Sequence, residues 1–144
     1  MRVTLDELGR TLPNGFHDSE IRSLRVDYSK REVALELAVW LGDMEEKDAP
    51  KEAYRDAEVS IDGLQFLAIE PPDPGYPFKE RNRLRVDLTG GATKSDIPAV
   101  GRLATDCFVA RFFVDDWNSF IHVAARSASI EWKGEQYDRR VLRP

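Results

Sequence analysis

The chain has 144 residues and a formal net charge of −5, with 42% hydrophobic and 33% charged residues. This is the size of one ordinary domain, large enough to bury about two-thirds of the surface that its unfolded form exposes, and the composition is not that of a disordered chain. The single cysteine and two histidines exclude an internal disulfide and a Cys/His zinc motif. The acidic balance argues against nucleic acid as the main partner, because binding phosphates requires a concentrated basic surface.

Nothing in the chain predicts export or membrane insertion. Residues 1–12 contain two acids and lack the apolar core of a secretory signal. No later run approaches the roughly 18 apolar residues that a membrane-spanning helix requires. A lone cysteine fits a reducing compartment. We therefore expect a cytoplasmic protein, and the sequence predicts neither a cofactor nor a metal site.

The N-terminal part predicts a short helix followed by a hairpin. Residues 4–12 have leucines at helical spacing, with Thr4 placed as N-cap and Glu7 in the capping-box position. A Pro-Asn-Gly sequence ends this helix. The hydrophobic period then changes to two, and residues 24–41 predict an antiparallel hairpin with a turn at residues 29–31.

The middle of the chain alternates between strands and loops. Residues 42–53 are acidic and predict a solvated loop. The strand pattern that follows shifts parity at Asp62-Gly63, which indicates either a two-residue hairpin turn or a bulge in one long strand. Prolines then prevent regular structure until alternation resumes at Leu84.

Two strand patterns complete the chain. Residues 107–114, CFVARFFV, are apolar on both faces apart from Arg111 and predict a central strand. Residues 120–132 alternate with a parity change near Arg126-Ser127, which indicates a bulge. These elements predict one all-β domain over residues 1–144, an antiparallel sandwich or partly open barrel of about seven to nine strands with one short N-terminal helix. The predicted core comprises Leu24, Val26, Leu35, Leu37, Val39, Ile61, Phe66, Val86, Phe108, Phe112 and Ile130.

No residue is predicted to be catalytic. His17, Asp18 and Ser19 are the residue types of a hydrolytic triad, but residues adjacent in the chain do not usually reach one another in that geometry. We interpret them as the corner from which the first strand starts, where Asp18 or Ser19 satisfies backbone N–H groups and His17 packs against the corner. His122 is interpreted as a half-buried strand residue, and Cys107 as a small hydrophobic residue.

Two charged patches are candidate binding sites. Residues 43–58 hold seven acids against three bases without the ligand order of an EF-hand. The candidate binding residues in this acidic loop are Asp43, Glu45, Glu46 and Asp48. The second patch consists of Arg81, Arg83 and Arg85, which fall on one face of a strand. These arginines either protect an edge strand from pairing or bind an anion or an acidic partner.

Two stretches of the sequence resemble a known family. GFHDSEIRSLRVDYSKREVALELAV and, later, ASIEWKGEQY resemble the small, uncharacterised bacterial β-rich proteins grouped near the immunity protein 50 family. The similarity covers mainly residues 13–41, with weaker support at residues 128–137. It implies a cytoplasmic all-β domain that binds and neutralises a cognate toxin without catalysis. No binding motif of that family maps onto individual residues here.

We therefore predict a non-catalytic protein-binding module of the immunity type, with no nucleic acid or membrane as partner and the oligomeric state left open. Charge on the acidic loop would speed encounter with a basic protein, such as a toxin that acts on nucleic acid. The alternative is a small-ligand-binding protein or hydrolase-like enzyme that uses a cavity in the β-fold. A filled interior favours the first hypothesis, whereas convergence of His17, Asp115 or His122 in one pocket favours the second.

Overall fold

The computed structural model describes residues 3–43, 52–75, 84–89 and 103–138. These residues form one short helix and eight strands, with a 3₁₀ turn at Asp115–Trp117. The elements are α1 (Leu5–Arg10), β1 (Ser19–Asp27), β2 (Glu32–Trp40), β3 (Ala53–Asp62), β4 (Phe66–Ile69), β5 (Leu84–Thr89), β6 (Phe108–Val114), β7 (Ser119–Ala125) and β8 (Ser127–Asp138).

The eight strands make a single antiparallel sheet in the order β4-β7-β6-β5-β1-β2-β3-β8. This confirms the predicted all-β class, strand number and N-terminal helix. The sheet is not closed into a barrel, since β4 and β8 remain its end strands. One continuous sheet corresponds to the partly open alternative and not to a sandwich of two sheets.

The β3–β8 and β4–β7 strand pairs meet at a junction. Here β3 and β4 form one long strand, β7 and β8 form another, and both strands are interrupted at neighbouring positions. The chain passes from β3 to β4 through residues 63–65, and from β7 to β8 through Arg126. The Gln65 N–H donates to the Ala124 carbonyl at 2.8 Å, and the Arg126 N–H donates to the Asp62 carbonyl at 3.0 Å. Because β3 pairs with β8 and β4 with β7, rather than with each other, the hairpin-turn alternative at Asp62-Gly63 is wrong, and the segment is one long strand with an interruption.

The N-terminal helix begins as the sequence predicts. The Glu7 N–H donates to Thr4 Oγ1 at 3.1 Å, and the Thr4 N–H donates to Glu7 Oε2 at 3.2 Å, which completes the capping box. Leu5 and Leu8 are buried, and α1 packs against β6 and β8. Just before α1, Val3 adds a single bridge to Ala128 of β8. The helix thus contributes to the same core as the sheet.

Most of the predicted core is confirmed. The fully buried members are Leu35, Leu37, Val39, Ile61, Val86 and Phe112, and the partly buried members are Leu24, Val26, Phe108 and Ile130. Phe66 was wrongly placed in the core: it lies opposite Ala124, and its neighbour Leu67 packs inward instead. The interruption at residues 63–65 changes the parity of the strand, so Phe66 faces away from the core.

Additional core residues come from the N-terminal part, namely Leu5, Leu8, Leu12 and Phe16. The Phe16 ring contacts the Phe112 ring edge-on, with centroids 5.9 Å apart. Such a pair adds to the hydrophobic contribution of burying both rings. Within the described residues, no helix is long and apolar enough to cross a membrane.

The first prediction concerns the junction. Gly63 has φ +65°, and a Cβ there would lie 2.9 Å from Arg126 Cβ, whereas Gly134 has φ +72° and a Cβ there would meet no atom within 4 Å. We expect Gly134→Ala to lower the free energy of unfolding by about 1–2 kcal/mol, because of the left-handed backbone alone. We expect Gly63→Ala to lower it by about 1–3 kcal/mol more, because the methyl group also displaces Arg126. Urea unfolding of both variants checks this, and equal losses would contradict the close contact at the junction.

Candidate functional site

The outward side of β1, β2, β3 and β8 carries a concentration of acids. Successive side chains of a strand point to opposite faces of the sheet. Leu35 and Val59 point into the core, so the residues next to them in the chain point outward. Six outward acids lie in two rows that cross the strands. The first row is Asp27, Glu32 and Asp62, and the second row is Glu36, Glu58 and Glu131. We call these six residues the acidic face.

The three glutamates of the second row are direct cross-strand neighbours. Like charges in that position destabilise a sheet. Basic side chains offset the negative charge of two of the three glutamates. Arg25 Nη2 lies 3.5 Å from Glu58 Oε2, and Lys133 Nζ lies 3.0 Å from Glu131 Oε1. The hydrogen bond to Glu131, together with the charge of that carboxylate, raises the pKa of Lys133. Glu36 is exposed and makes no hydrogen bond or ion pair within the described part of the chain.

Small side chains separate the two rows. Ala34, Ser60 and Ser129 lie side by side across β2, β3 and β8, so the carboxylates border a shallow floor. Where β1 turns into β2, the side chain of Tyr28 is 88% exposed and lines a recess of about 690 Å³ that also includes Arg25. Tyrosine and arginine are among the residue types enriched where protein interfaces gain most of their binding energy.

A seventh acid beside the acidic face is neutralised. Arg22 Nη1 lies 2.9 Å from Asp56 Oδ2, and the Tyr137 hydroxyl donates to Asp56 Oδ1 at 2.8 Å. Arg22 also donates to the Tyr137 oxygen at 3.0 Å. Burial, and after it the hydrogen bond to Asp56, raises the pKa of Tyr137. Asp56 therefore belongs to a structural network that ties β1, β3 and β8 together.

His17, Asp18 and Asp87 form a second polar cluster, before the start of β1. His17 Nδ1 lies 2.6 Å from Asp87 Oδ1, and the same oxygen accepts the Asp18 N–H at 3.1 Å. His17 Nε2 lies 3.4 Å from Asp18 Oδ2. The cluster borders a groove of about 670 Å³ that Asp6 and Arg10 also line. One imidazole and two carboxylates thus meet at the surface.

The structure corrects the predicted roles at this corner. The His17 ring lies edge-on to the Trp40 ring, with centroids 6.2 Å apart, but its side chain remains 62% exposed. The carboxylate that accepts a backbone N–H at this corner belongs to Asp87 of the distant strand β5, rather than to Asp18, and the Ser19 hydroxyl does not take this role either. Ser19 is fully buried, and its hydroxyl has no hydrogen-bond partner among the described residues.

A third polar cluster surrounds His122, whose side chain is 13% exposed as predicted for a half-buried strand residue. His122 Nε2 lies 2.8 Å from Glu70 Oε2, and the Phe120 N–H donates to Glu70 Oε1 at 2.9 Å. These two hydrogen bonds, with that of His122 first, lower the pKa of Glu70. The Arg111 guanidinium stacks over the Phe120 ring, 4.8 Å from its centroid.

The sequence-predicted binding residues are only partly within the described structure. Glu45, Glu46, Asp48, Arg81 and Arg83 lie outside the described residues. Asp43 is described and exposed, at the end of the segment that follows β2. Arg85 lies on β5, where its Nη2 is 2.7 Å from Asp115 Oδ2.

The interpretation of the arginine-bearing strand as an edge strand is wrong, because β5 pairs with β1 on one side and β6 on the other. The three residues whose convergence would favour an enzyme take part in separate interactions. His17 pairs with Asp87, Asp115 with Arg85 and His122 with Glu70. The groove beside His17 includes neither Asp115 nor His122.

The fold and these clusters define an all-β domain with a single open sheet, an acidic outer face and a surface His–carboxylate corner. Comparisons with protein-family models, with curated proteins and with solved structures found no match to this chain. The resemblance to the immunity protein 50 family therefore stays a prediction from the sequence.

The second prediction uses the lowered pKa of Glu70. A carboxylate with a depressed folded-state pKa contributes stability that is complete above its ordinary value of 4.5 and is lost as the pH falls through the folded-state value. Glu70→Gln removes this titration and keeps the size of the side chain. We expect the free energy of unfolding to fall more steeply below pH 4.5 in the wild type than in the variant. Denaturant unfolding at a series of pH values measures both slopes, and parallel curves would contradict the role of the His122–Glu70 pair.

Proposed function

We propose that this chain is a non-catalytic protein-binding module that binds a basic protein on its acidic face. The observation that carries the proposal is the second row, where Glu36, Glu58 and Glu131 stand directly opposite one another. This arrangement disfavours folding, since like charges repel at cross-strand distance. Lysine or arginine side chains of a partner would offset the repulsion among these glutamates. The complex would therefore be stabilised by removal of a repulsion that is present in the free protein.

Long-range electrostatics supports the same partner class. The chain carries a net charge of −5, and six acids lie on one side of the sheet. Arg25 and Lys133 offset part of this charge, and a surface with an excess of one sign still speeds encounter with an oppositely charged protein and slows encounter with a like-charged one. The exposed Tyr28 at the border supplies an aromatic side chain that a partner can cover.

The packed interior supports a surface role over a cavity-based enzyme. Leu5 of α1, Leu35 of β2 and Val123 of β7 are each at most 1% exposed. The helix and both halves of the sheet therefore contribute buried side chains to one described core. The recess at Tyr28 and the groove at His17 both open to the surface.

The resemblance given above narrows the proposal to an immunity-type protein that acts in the cytoplasm. A toxin that cleaves or modifies nucleic acid needs a basic surface to approach phosphates. An acidic face that covers this surface would block substrate binding without any catalysis. The proposal therefore expects a gene for a basic toxin beside the gene for this chain.

The third prediction tests the acidic face with the variant Glu36→Gln/Glu58→Gln/Glu131→Gln. We expect this variant to be as stable as the wild type or more stable, by about 0.2–1 kcal/mol for each relieved pair. We also expect it to lose binding to the basic toxin encoded beside it, in a catalytically inactivated form. Unfolding curves measure the first effect, and binding measured at low and high salt measures the second.

Two variants serve as controls for this experiment. The matched control, Asp6→Asn/Asp73→Asn/Asp106→Asn, removes the same charge from other elements and should retain binding. The second variant neutralises the acidic loop at Asp43, Glu45, Glu46 and Asp48. Loss of binding in the matched control, or in the loop variant alone, would show that the acidic face is not the docking surface.

A further inference from the structure

The His17 corner has the geometry of a histidine that is held ready to bind a metal ion. Asp87 Oδ1 lies 2.6 Å from His17 Nδ1, and because an ionised carboxylate only accepts, Nδ1 donates to it and Nε2 is the ring nitrogen that a metal ion can occupy. A metal-binding histidine in proteins usually donates its second N–H to a carboxylate in this way, and the carboxylate fixes the ring. Asp87 therefore orients His17, and Nε2 is the nitrogen available to a ligand.

The free nitrogen faces a carboxylate at a distance that suits a shared ion. His17 Nε2 and Asp18 Oδ2 are 3.4 Å apart. A tetrahedral Zn²⁺ ion bound to a nitrogen at about 2.05 Å and an oxygen at about 2.1 Å holds these two atoms about 3.4 Å apart, whereas right-angled octahedral ligands lie about 2.9 Å apart. The observed separation of 3.4 Å matches the tetrahedral value.

The backbone holds Asp18 in place for this role. Asp18 has φ +53°, a left-handed conformation that is uncommon for residues other than glycine. Its N–H donates at 3.1 Å to Asp87 Oδ1, the same oxygen that contacts His17 Nδ1. One carboxylate oxygen thus positions both ligand residues, and residues in such strained conformations concentrate at functional sites.

Charge and exposure define the class of ligand. Two carboxylates beside an imidazole attract a divalent cation, and a nitrogen ligand favours Zn²⁺ over Ca²⁺ or Mg²⁺, which prefer oxygen alone. His17 is 62% and Asp18 37% exposed, so the remaining coordination positions open to water in the adjoining groove. We propose that His17 Nε2 and Asp18 Oδ2 bind a tetrahedral divalent transition-metal ion of Zn²⁺ chemistry, with Asp87 positioning both ligands. This proposal does not rest on protein binding at the acidic face.

The fourth prediction tests the site by calorimetric titration of the full, untagged chain with Zn²⁺ alone in a buffer that does not chelate metals. We expect saturable binding of one ion per chain. His17→Ala and Asp18→Asn should each weaken binding at least about tenfold, and Asp87→Asn about 10–100-fold, because the ring loses its support. Zn²⁺ should raise the melting temperature of the wild type and not that of His17→Ala.

Three matched controls make the result specific. His122→Gln removes the other histidine and Cys107→Ser the only thiol, and both variants should bind Zn²⁺ as the wild type does. The acidic-face variant should also retain the ion, which separates this site from the surface carboxylates. Equal affinity of the wild type and His17→Ala, or no binding by the wild type, would overturn the proposal. Substitution with Co²⁺ reports the geometry, and an octahedral spectrum would overturn the tetrahedral assignment.

Discussion

Two backbone hydrogen bonds at the junction, from Gln65 to Ala124 and from Arg126 to Asp62, connect the β4–β7 strand pair with the β3–β8 strand pair. They link β4 and β7 at one end to β3 and β8 at the other. Because the period of a strand is two residues, fixing the register here also fixes which residues of these four strands face the core. A Cβ at residue 63 would lie 2.9 Å from Arg126 Cβ, so the two segments approach closely where they pass the junction.

The same register that fills the core assembles the acidic face. Leu35, Val59 and Ile130 share one row on the inner side, and an adjacent residue on each of these strands belongs to the outward row of glutamates. The inward pairing of apolar side chains therefore forces the outward glutamates next to one another. Burying one such apolar side chain stabilises the fold by about 1.5–3 kcal/mol. A like-charge pair destabilises it by only about 0.2–1 kcal/mol, so burial is the stronger effect. The fold can support an unfavourable surface because its core is well formed.

The sequence predicts what depends on neighbouring residues and misses what depends on strand order. The capping box at Thr4 and the alternation before and after the β1–β2 turn are local, and both are confirmed. The acidic rows were missed because their glutamates lie in three separate strands, although each acid is visible at an outward position. The contact between His17 and Asp87 spans 70 positions, so no spacing rule indicates it. Phe66 was misplaced because the parity change at the junction depends on its partner strand.

The end strand β8 has a consequence for self-association. Among the described residues, its outer edge is met only by the bridge from Val3 to Ala128, so most of its twelve residues present unpaired backbone groups. Such an edge invites strand addition from another molecule, which charged side chains and local distortion discourage. Lys133 and Glu135 are exposed on this edge, and Gly134 between them has φ +72°. The two charges and the distorted backbone at Gly134 are features that discourage strand addition at this edge.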